Sequence, residues 1–331
     1  MTPDFLQEIY DYTNGTFIEC NTAYKGGARH STDSHKELMI EHGWFNNSRR
    51  TIIMDEDPSK DFNLTIENGS MINENMVGGR LEEFDSSLVL AHLKGHSSGG
   101  YGGALKQLSI GFASQRGKTW IHTAGKFTDW TIMQDNKANQ QNFTSAMGDA
   151  ASSIVNYFRE KGGIAFINVM SNISLYCDCA GGLAPEPKIH DIGILASTDP
   201  VALDRAYLDL IHTNVDVGTD ELLDQIDRLM GENTIFVAEM HGIGSQSYNL
   251  IDIDNESDDS DSDSDTDSDK DKNADNNDDN IIFIVIISVV IFLILIIGIV
   301  AFVIYYKRKK EKENILNTSG IATSLVNRKS E

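Results

Sequence analysis

Apolar positions in the first 250 residues fall into short runs whose spacing keeps changing, with polar or glycine-rich segments between them. Residues 88–93 and 164–170 are continuous apolar runs of strand length and read as buried strands. Residues 16–20, 50–54, 120–122, 191–196, 234–239 and 248–253 predict further strands. Helical spacing recurs between these runs. It covers residues 3–12 with Phe5, Leu6, Ile9 and Tyr10 on one face, and residues 142–161 with Met147, Ile154, Val155 and Phe158 inward. Asp33 or Ser34 predicts the cap of a helix that runs to His42 and closes at Gly43. Asp199-Pro200 opens another helix, with Leu203, Tyr207, Leu210 and Ile211 as its stripe, and Thr219 caps one more. Residues 57–80 are polar, with turn signals at Pro58, Gly69 and Gly78-Gly79. Strands alternating with helices predict an α/β fold, a mainly parallel sheet flanked by helices. About 250 residues can bury a full core as one large domain or two small lobes.

The pattern changes at residue 257. Residues 1–256 are globular in composition, 257–280 form an acidic Asp/Ser stalk, 281–306 are apolar, and 307–331 form a basic tail. The stalk self-repels and has nothing to bury, so it predicts an extended solvated segment. The 26 residues of 281–306 carry no charge and are long enough to cross a bilayer, which makes the lipid bilayer a predicted partner. Tyr305 and Tyr306 sit at an interfacial position, and Lys307-Arg308-Lys309-Lys310 follows directly. The positive-inside bias then places the tail in the cytosol and the globular part outside it or in a lumen. Seven Asn-x-Ser/Thr sequons precede the span, at Asn14, Asn46, Asn63, Asn68, Asn142, Asn172 and Asn255, and accord with that side. The first residues lack the basic and apolar regions of a signal peptide, which leaves either a truncated start or insertion by the tail with the globular part in the cytosol. The expectation is a single-pass protein with its domain outside and a truncated start. The chain carries −23 overall, of which −18 falls on residues 1–256, and this argues against a nucleic-acid partner.

Candidate chemistry gathers in residues 88–122. An apolar run leads to His96, then Gly99, Gly100, Gly102 and Gly103, then a helix opening near Ala104 and carrying Lys106. Glycines before a helix N-terminus can admit an anionic group to backbone N–H donors, the alternative being a tight packing turn. Neither phosphate-loop motif is satisfied. The third glycine of Gly-x-Gly-x-x-Gly is replaced by Leu105, and Gly111 lies one residue too far before Gly117-Lys118-Thr119 for a Walker loop. A desolvated Lys106 would serve as base or nucleophile, and an exposed one as an anion contact. Of three cysteines, Cys177 and Cys179 flank one residue, so in extended backbone both sulfurs face one side. They make half of a divalent transition-metal site, which histidine would have to complete, or else two small buried apolar residues. His35 and His42, seven apart, share a helix face.

Several ordered blocks resemble an uncharacterised family, domain of unknown function 362. They are Asn21-Thr22-x-Tyr24 with Gly26, Arg29 and His35; Lys94-Gly95-His96 with residues 99–106; and Gly117-Lys118. Further on come Cys177-Asp178-Cys179, Asp191-Ile192-Gly193 and Asp199-Pro200-Val201-Ala202, with Gly242-Ile243-Gly244 and Tyr248 closing the match. Many members carry a ferredoxin-like insert with iron–sulfur cysteines. Residues 123–141 contain none, so no iron–sulfur cluster is expected. The spacing of His96, Lys106 and His122 is also similar to a segment of the lactate racemase family, where the resemblance implies a lysine anchoring a nickel cofactor and histidines as ligand or acid/base. The combined expectation is a membrane-anchored domain acting on a small anionic substrate. His96, Lys106 and His122 carry the chemistry, the four glycines and Arg29 hold the ligand, and Cys177, Cys179 and His35 hold the metal. A non-catalytic receptor-like binding protein is the alternative.

Overall fold

In the computed structural model, which describes residues 2–24, 26–45, 49–176 and 186–254, the chain opens with α1 (Gln7–Thr13) and β1 (Phe17–Glu19). A loop then leads to α2 (Thr32–Glu41), whose N-cap is Ser31, and to β2 (Thr51–Ile53), parallel to β1. The polar stretch that predicted only turns holds an antiparallel hairpin, β3 (Phe62–Thr65) and β4 (Glu74–Val77). Next come β5 (Ser86–His92) and a second hairpin, β6 (Lys94–His96) and β7 (Gly100–Gly102). The helix α3 (Ala104–Lys106) continues into one wide turn over Gln107–Gly111, and α4 (Gln115–His122) follows. The long helix α5 (Gln140–Arg159) returns the chain to β8 (Gly163–Met170), and β9 (Gly193–Ser197) lies beside it. Three helices close the described part: α6 (Pro200–Thr213), α7 (Thr219–Arg228) and α8 (Gly231–Met240).

The central sheet has the order β5-β8-β9. β5 and β8 run parallel across a helical crossover, whereas β9 is antiparallel to β8. Among the described residues there are two parallel and three antiparallel ladders, spread over four small sheets. The α/β class therefore holds, and the mainly parallel sheet is corrected. β1 and β5 each stand at the end of their sheet, and residues of both line one cleft.

α5 is the centre of the core. Fourteen of its twenty residues are buried, so it is enclosed on more than the single face that its apolar period predicts. Small residues allow this. A Cβ on Gly148 would meet Val237 at 2.7 Å, so α8 approaches α5 almost to backbone contact. The polar positions of α5 are tied internally. Buried Asp149 accepts from the Ser70, Met71 and Ile72 amides, from Ser70 Oγ and from His241 Nε2, at 2.7–3.0 Å. A carboxylate so satisfied pins the β3–β4 turn and the end of α8 to the core helix.

Three predicted strands are corrected. Residues 120–122 end α4, where Ser114 caps the helix by accepting from the Gly117 amide, and Lys118 and Ile121 turn inward. Residues 234–239 fall within α8, because Thr234 and Ile235 lie one helical turn before Ala238 and all three are buried on one face. Residues 248–253 form no strand. Thr219 lies inside α7, and Gly218, with φ of 104°, is the N-cap. Among the described residues no helix is long and apolar enough to cross a membrane. The stalk, the apolar run 281–306, the basic tail, Cys177, Cys179, Asn46 and Asn255 lie outside the described residues.

Candidate functional site

Lys94, His96, Lys106, Lys118, His122 and Arg29 come together along one cleft of about 1530 Å³. Its walls are built by different parts of the chain. Arg29 stands on the loop between β1 and α2, and buried anchors hold that loop against α4. Asp55 accepts from the Asn21 amide at 2.9 Å and the Gln115 amide at 2.8 Å. The Gln115 side chain donates to the Thr22 and His30 carbonyls at 2.7 and 2.8 Å. Lys94 and His96 come from β6. A Cβ on Gly102 would lie 3.6 Å from Lys106 Cδ and 3.9 Å from Lys94 Cγ, so the two lysine stems run together over that glycine. His122 ends α4 and stacks on Phe143, with ring centroids 4.5 Å apart and planes inclined by 12°.

The glycine loop plays a different part from the one expected. It is the β6–β7 hairpin, with Gly100 at φ 81°, a conformation that side-chain-bearing residues rarely adopt. The N–H donors of Ala104 and Leu105, which would greet an anion, are taken by the chain's own Asp204 at 2.9 and 3.0 Å. Asp204 also accepts from Asn168 Nδ2 at 2.8 Å and Tyr101 Oη at 3.1 Å, and it is fully buried. A Cβ on Gly103 would meet this carboxylate at 2.7 Å, and one on Gly100 would crowd Ile226 and Gly231. Gly99, Gly100, Gly102 and Gly103 do not line the cleft. Gly100 and Gly103 seat the hairpin against α6, α7 and α8, and Gly102 makes room for the lysines.

The cleft's charge is unbalanced. Burial and the charges of Lys94 and Arg29 push the Lys106 amine down to about 8, against the weaker pull of Glu19. Among the described residues Lys106 Nζ makes no hydrogen bond and no ion pair, whereas Arg29 has Glu19 at 3.9 Å and Lys118 donates to the Ala113 carbonyl at 2.6 Å. Burial, then Lys137 and Lys106, push His122 down to about 3, so its imidazole is neutral. Burial and Lys106 hold His96 well below the usual histidine range.

Local hydrogen bonds fix the tautomers. His96 Nδ1 accepts from the Ser98 and Gly99 amides at 3.2 and 3.0 Å, so the neutral ring carries its proton on Nε2. A histidine that binds metal through Nε2 keeps its proton on Nδ1, so this geometry makes His96 a hydrogen-bond donor and does not suit it as a ligand. His35, on α2, is the reverse. Its buried Nδ1 donates to Asn21 Oδ1 at 3.1 Å, which leaves the lone pair on Nε2. Burial and Arg29 lower it to about 4. Among the described residues no three His, Cys, Asp or Glu side chains are grouped to hold a metal ion. His42 caps the C-terminal end of α2 and lines the same cleft.

Lys94, Lys118, Gln115 and Asp204 are additions to the residues expected from sequence. Asp204 had a visible signal, a lone acid on a helix face with Val201, Tyr207, Leu208 and Ile211, all buried. Lys118 was visible as part of a failed Walker loop and of the Gly117-Lys118 block of the family resemblance, neither of which gave it a role.

A family model described as "Domain of unknown function (DUF362)" matches residues 1–209. Comparison with curated proteins gives no match. Among solved structures the chain is similar to a crystal structure of a Thermotoga maritima protein, at 16% identity and a TM-score of 0.33. The match covers 58% of this chain and 44% of that one, too loose a likeness to extend the description of the fold.

Proposed function

The chain belongs to the DUF362 family, and from the cleft that this member builds we propose that it binds and acts on a small anion while anchored to a membrane through residues 281–306. The carrying observation is the Lys106 amine, left without a partner among the described residues beside Arg29 and Lys94, in a chain of net charge −23. An uncompensated cation in a partly desolvated cleft of an acidic protein favours a negatively charged occupant, and a carboxylate or phosphate supplies the missing countercharge. His96 adds an Nε2–H donor, and His122 adds a neutral ring with no hydrogen bond among the described residues. The glycines have no contact with the ligand in this reading. Side chains take the role that the helix N-terminus was expected to play.

Calorimetric titration of the full-length protein in mild detergent tests this, with inorganic phosphate and pyruvate at low ionic strength. Binding is expected to weaken in Lys106→Met and with rising salt. No heat with either anion and an unshifted melting temperature would overturn it. Membrane anchoring is tested by carbonate extraction of the native protein, which releases a peripheral protein and leaves a spanning one in the pellet.

The receptor-like alternative separates from the enzymatic reading at the same residue. A binding protein retains turnover-independent partner binding in Lys106→Arg, whereas an enzyme folds and loses turnover.

A further inference from the structure

Most lysine amines on this surface are engaged. Lys36 pairs with Glu56 at 2.9 Å, Lys161 donates to Tyr157 Oη at 2.7 Å, Lys188 reaches Glu221 at 3.1 Å, and buried Lys118 is tied to the Ala113 carbonyl. Lys106 differs. It lines the cleft, its stem is laid along Gly102 beside that of Lys94, and its nitrogen has no acceptor among the described residues. A structural lysine gives its protons to fixed acceptors. One with none, placed among other cations, is poised to lose its proton and use the lone pair. The neighbours suit a particular electrophile. Arg29 and Lys94 hold a carboxylate or phosphate, and the Nε2–H of His96 is a donor for a neighbouring carbonyl oxygen.

We propose that Lys106 captures a small anion bearing an aldehyde or 2-oxo group by forming an imine with its carbonyl carbon. This rests on the anion-binding reading above and names the substrate class. In the step, the Lys106 nitrogen bonds to the carbonyl carbon and the carbon–oxygen bond breaks. Of the three protons on the starting ammonium, two leave with the oxygen as water and one stays on the imine nitrogen. No oxidant or reductant is needed. The lowered amine assists: with a value of about 8, roughly 10% is unprotonated at pH 7, some 300-fold more than for an ordinary lysine.

The test is reductive trapping on the full-length protein in detergent at pH 7, with glyoxylate and cyanoborohydride, followed by peptide mapping. Lys106 is expected to gain a carboxymethyl group at least tenfold faster than Lys36, Lys60 or Lys161. Inorganic phosphate should slow that reaction alone, and Lys106→Arg should abolish it. Labelling of Lys106 no faster than of the exposed lysines would overturn the proposal. A parallel phosphate titration keeps the two readings apart. Phosphate binding without trapping at Lys106 refutes the imine and leaves the anion cleft standing, and absence of both refutes both. The mapping is done on wild-type protein, so the outcome does not depend on any variant folding.

Discussion

Asp204 is the group on which the site's geometry most depends, and its removal has a calculable cost. Its two oxygens accept from the Ala104 and Leu105 amides, Asn168 Nδ2 and Tyr101 Oη. Burial pushes the carboxyl up, and the hydrogen bonds oppose that shift. Asp204→Asn keeps the shape but sets an NH2 where one oxygen stood. The Tyr101 hydroxyl can rotate and accept from it, whereas the Leu105 N–H cannot, so at least one buried donor is left facing another. An unsatisfied buried donor costs about 1–3 kcal/mol, and the remaining bonds lose their charge assistance. The expected loss is therefore about 2–4 kcal/mol, a sizeable part of a typical domain's 5–15 kcal/mol or so. Urea unfolding followed by the fluorescence of Trp44, Trp120 and Trp130 measures it. Hydrogen exchange over residues 100–106 locates it, since those amides should open before the rest. Asp209→Asn is the control. That carboxylate is half-exposed, pairs with Arg205 and accepts from Tyr248 Oη at 2.8 Å, so a smaller loss of about 1 kcal/mol is expected. A stability for Asp204→Asn within about 0.5 kcal/mol of wild type would refute the assignment of this carboxylate as the clamp.

Three further predictions concern the rest of the cleft and the core. His35 and His122 are lowered to about 4 and about 3, and the unfolded chain titrates near 6.5. Their stabilising contribution is thus present above pH 6.5 and is lost as the pH falls toward those values. The slope is about 1.4 kcal/mol per pH unit for each histidine that gains its proton only on unfolding. Urea midpoints at pH 7, 6 and 5 read it out, and a flat series, or one unchanged by His122→Gln, would count against it. Gly148→Ala drives a methyl into Val237 and should cost about 1–3 kcal/mol, with Val237→Ala restoring part of the loss in the double variant. Gln115→Ala frees the Thr22 and His30 carbonyls from α4, so Arg29 should lose its position and phosphate binding should weaken several-fold with little change in melting temperature. Unaltered phosphate affinity would exclude the loop as part of the site.

What could be read from the chain depended on how local its cause was. The strand at 86–92, the helix at 140–159 and the start of α6 were all legible, because an unbroken apolar run, a helical stripe and Asp199-Pro200 act within a few residues. At the last, the Asp199 side chain does accept from the Val201 and Ala202 amides. The α8 segment was misread because a short apolar run with β-branched residues fits a buried strand or a buried helix equally, and a glycine nearly ninety residues away decides between them. The β3–β4 hairpin was hidden in a polar composition, since β3 is half-exposed, the mostly buried β4 is short and begins Glu74-Asn75, and the turn is held by Asp149 from a distant helix. His96, Lys106 and His122, close in sequence, line one cleft. The fate of the glycines was illegible for the same reason as α8. A cradle for an outside anion and a seat for an internal carboxylate have the same local sequence, and Asp204 lies about a hundred positions downstream.

That separation also orders events in time. The bonds from Tyr101, Ala104 and Leu105 to Asp204 span 99–103 residues, so during synthesis the hairpin carrying Lys94 and His96 leaves the ribosome long before its anchor. At translation rates of about 5–20 residues per second the wait lasts several seconds or more. Throughout it the first half of the chain already contains every cation of the cleft except a fixed arrangement for them. Long-range closure of this kind is slow and forms late, which makes the docking of α6 the step at which the hairpin of a merely collapsed chain gains its buried anchor and Lys94 and His96 their fixed places.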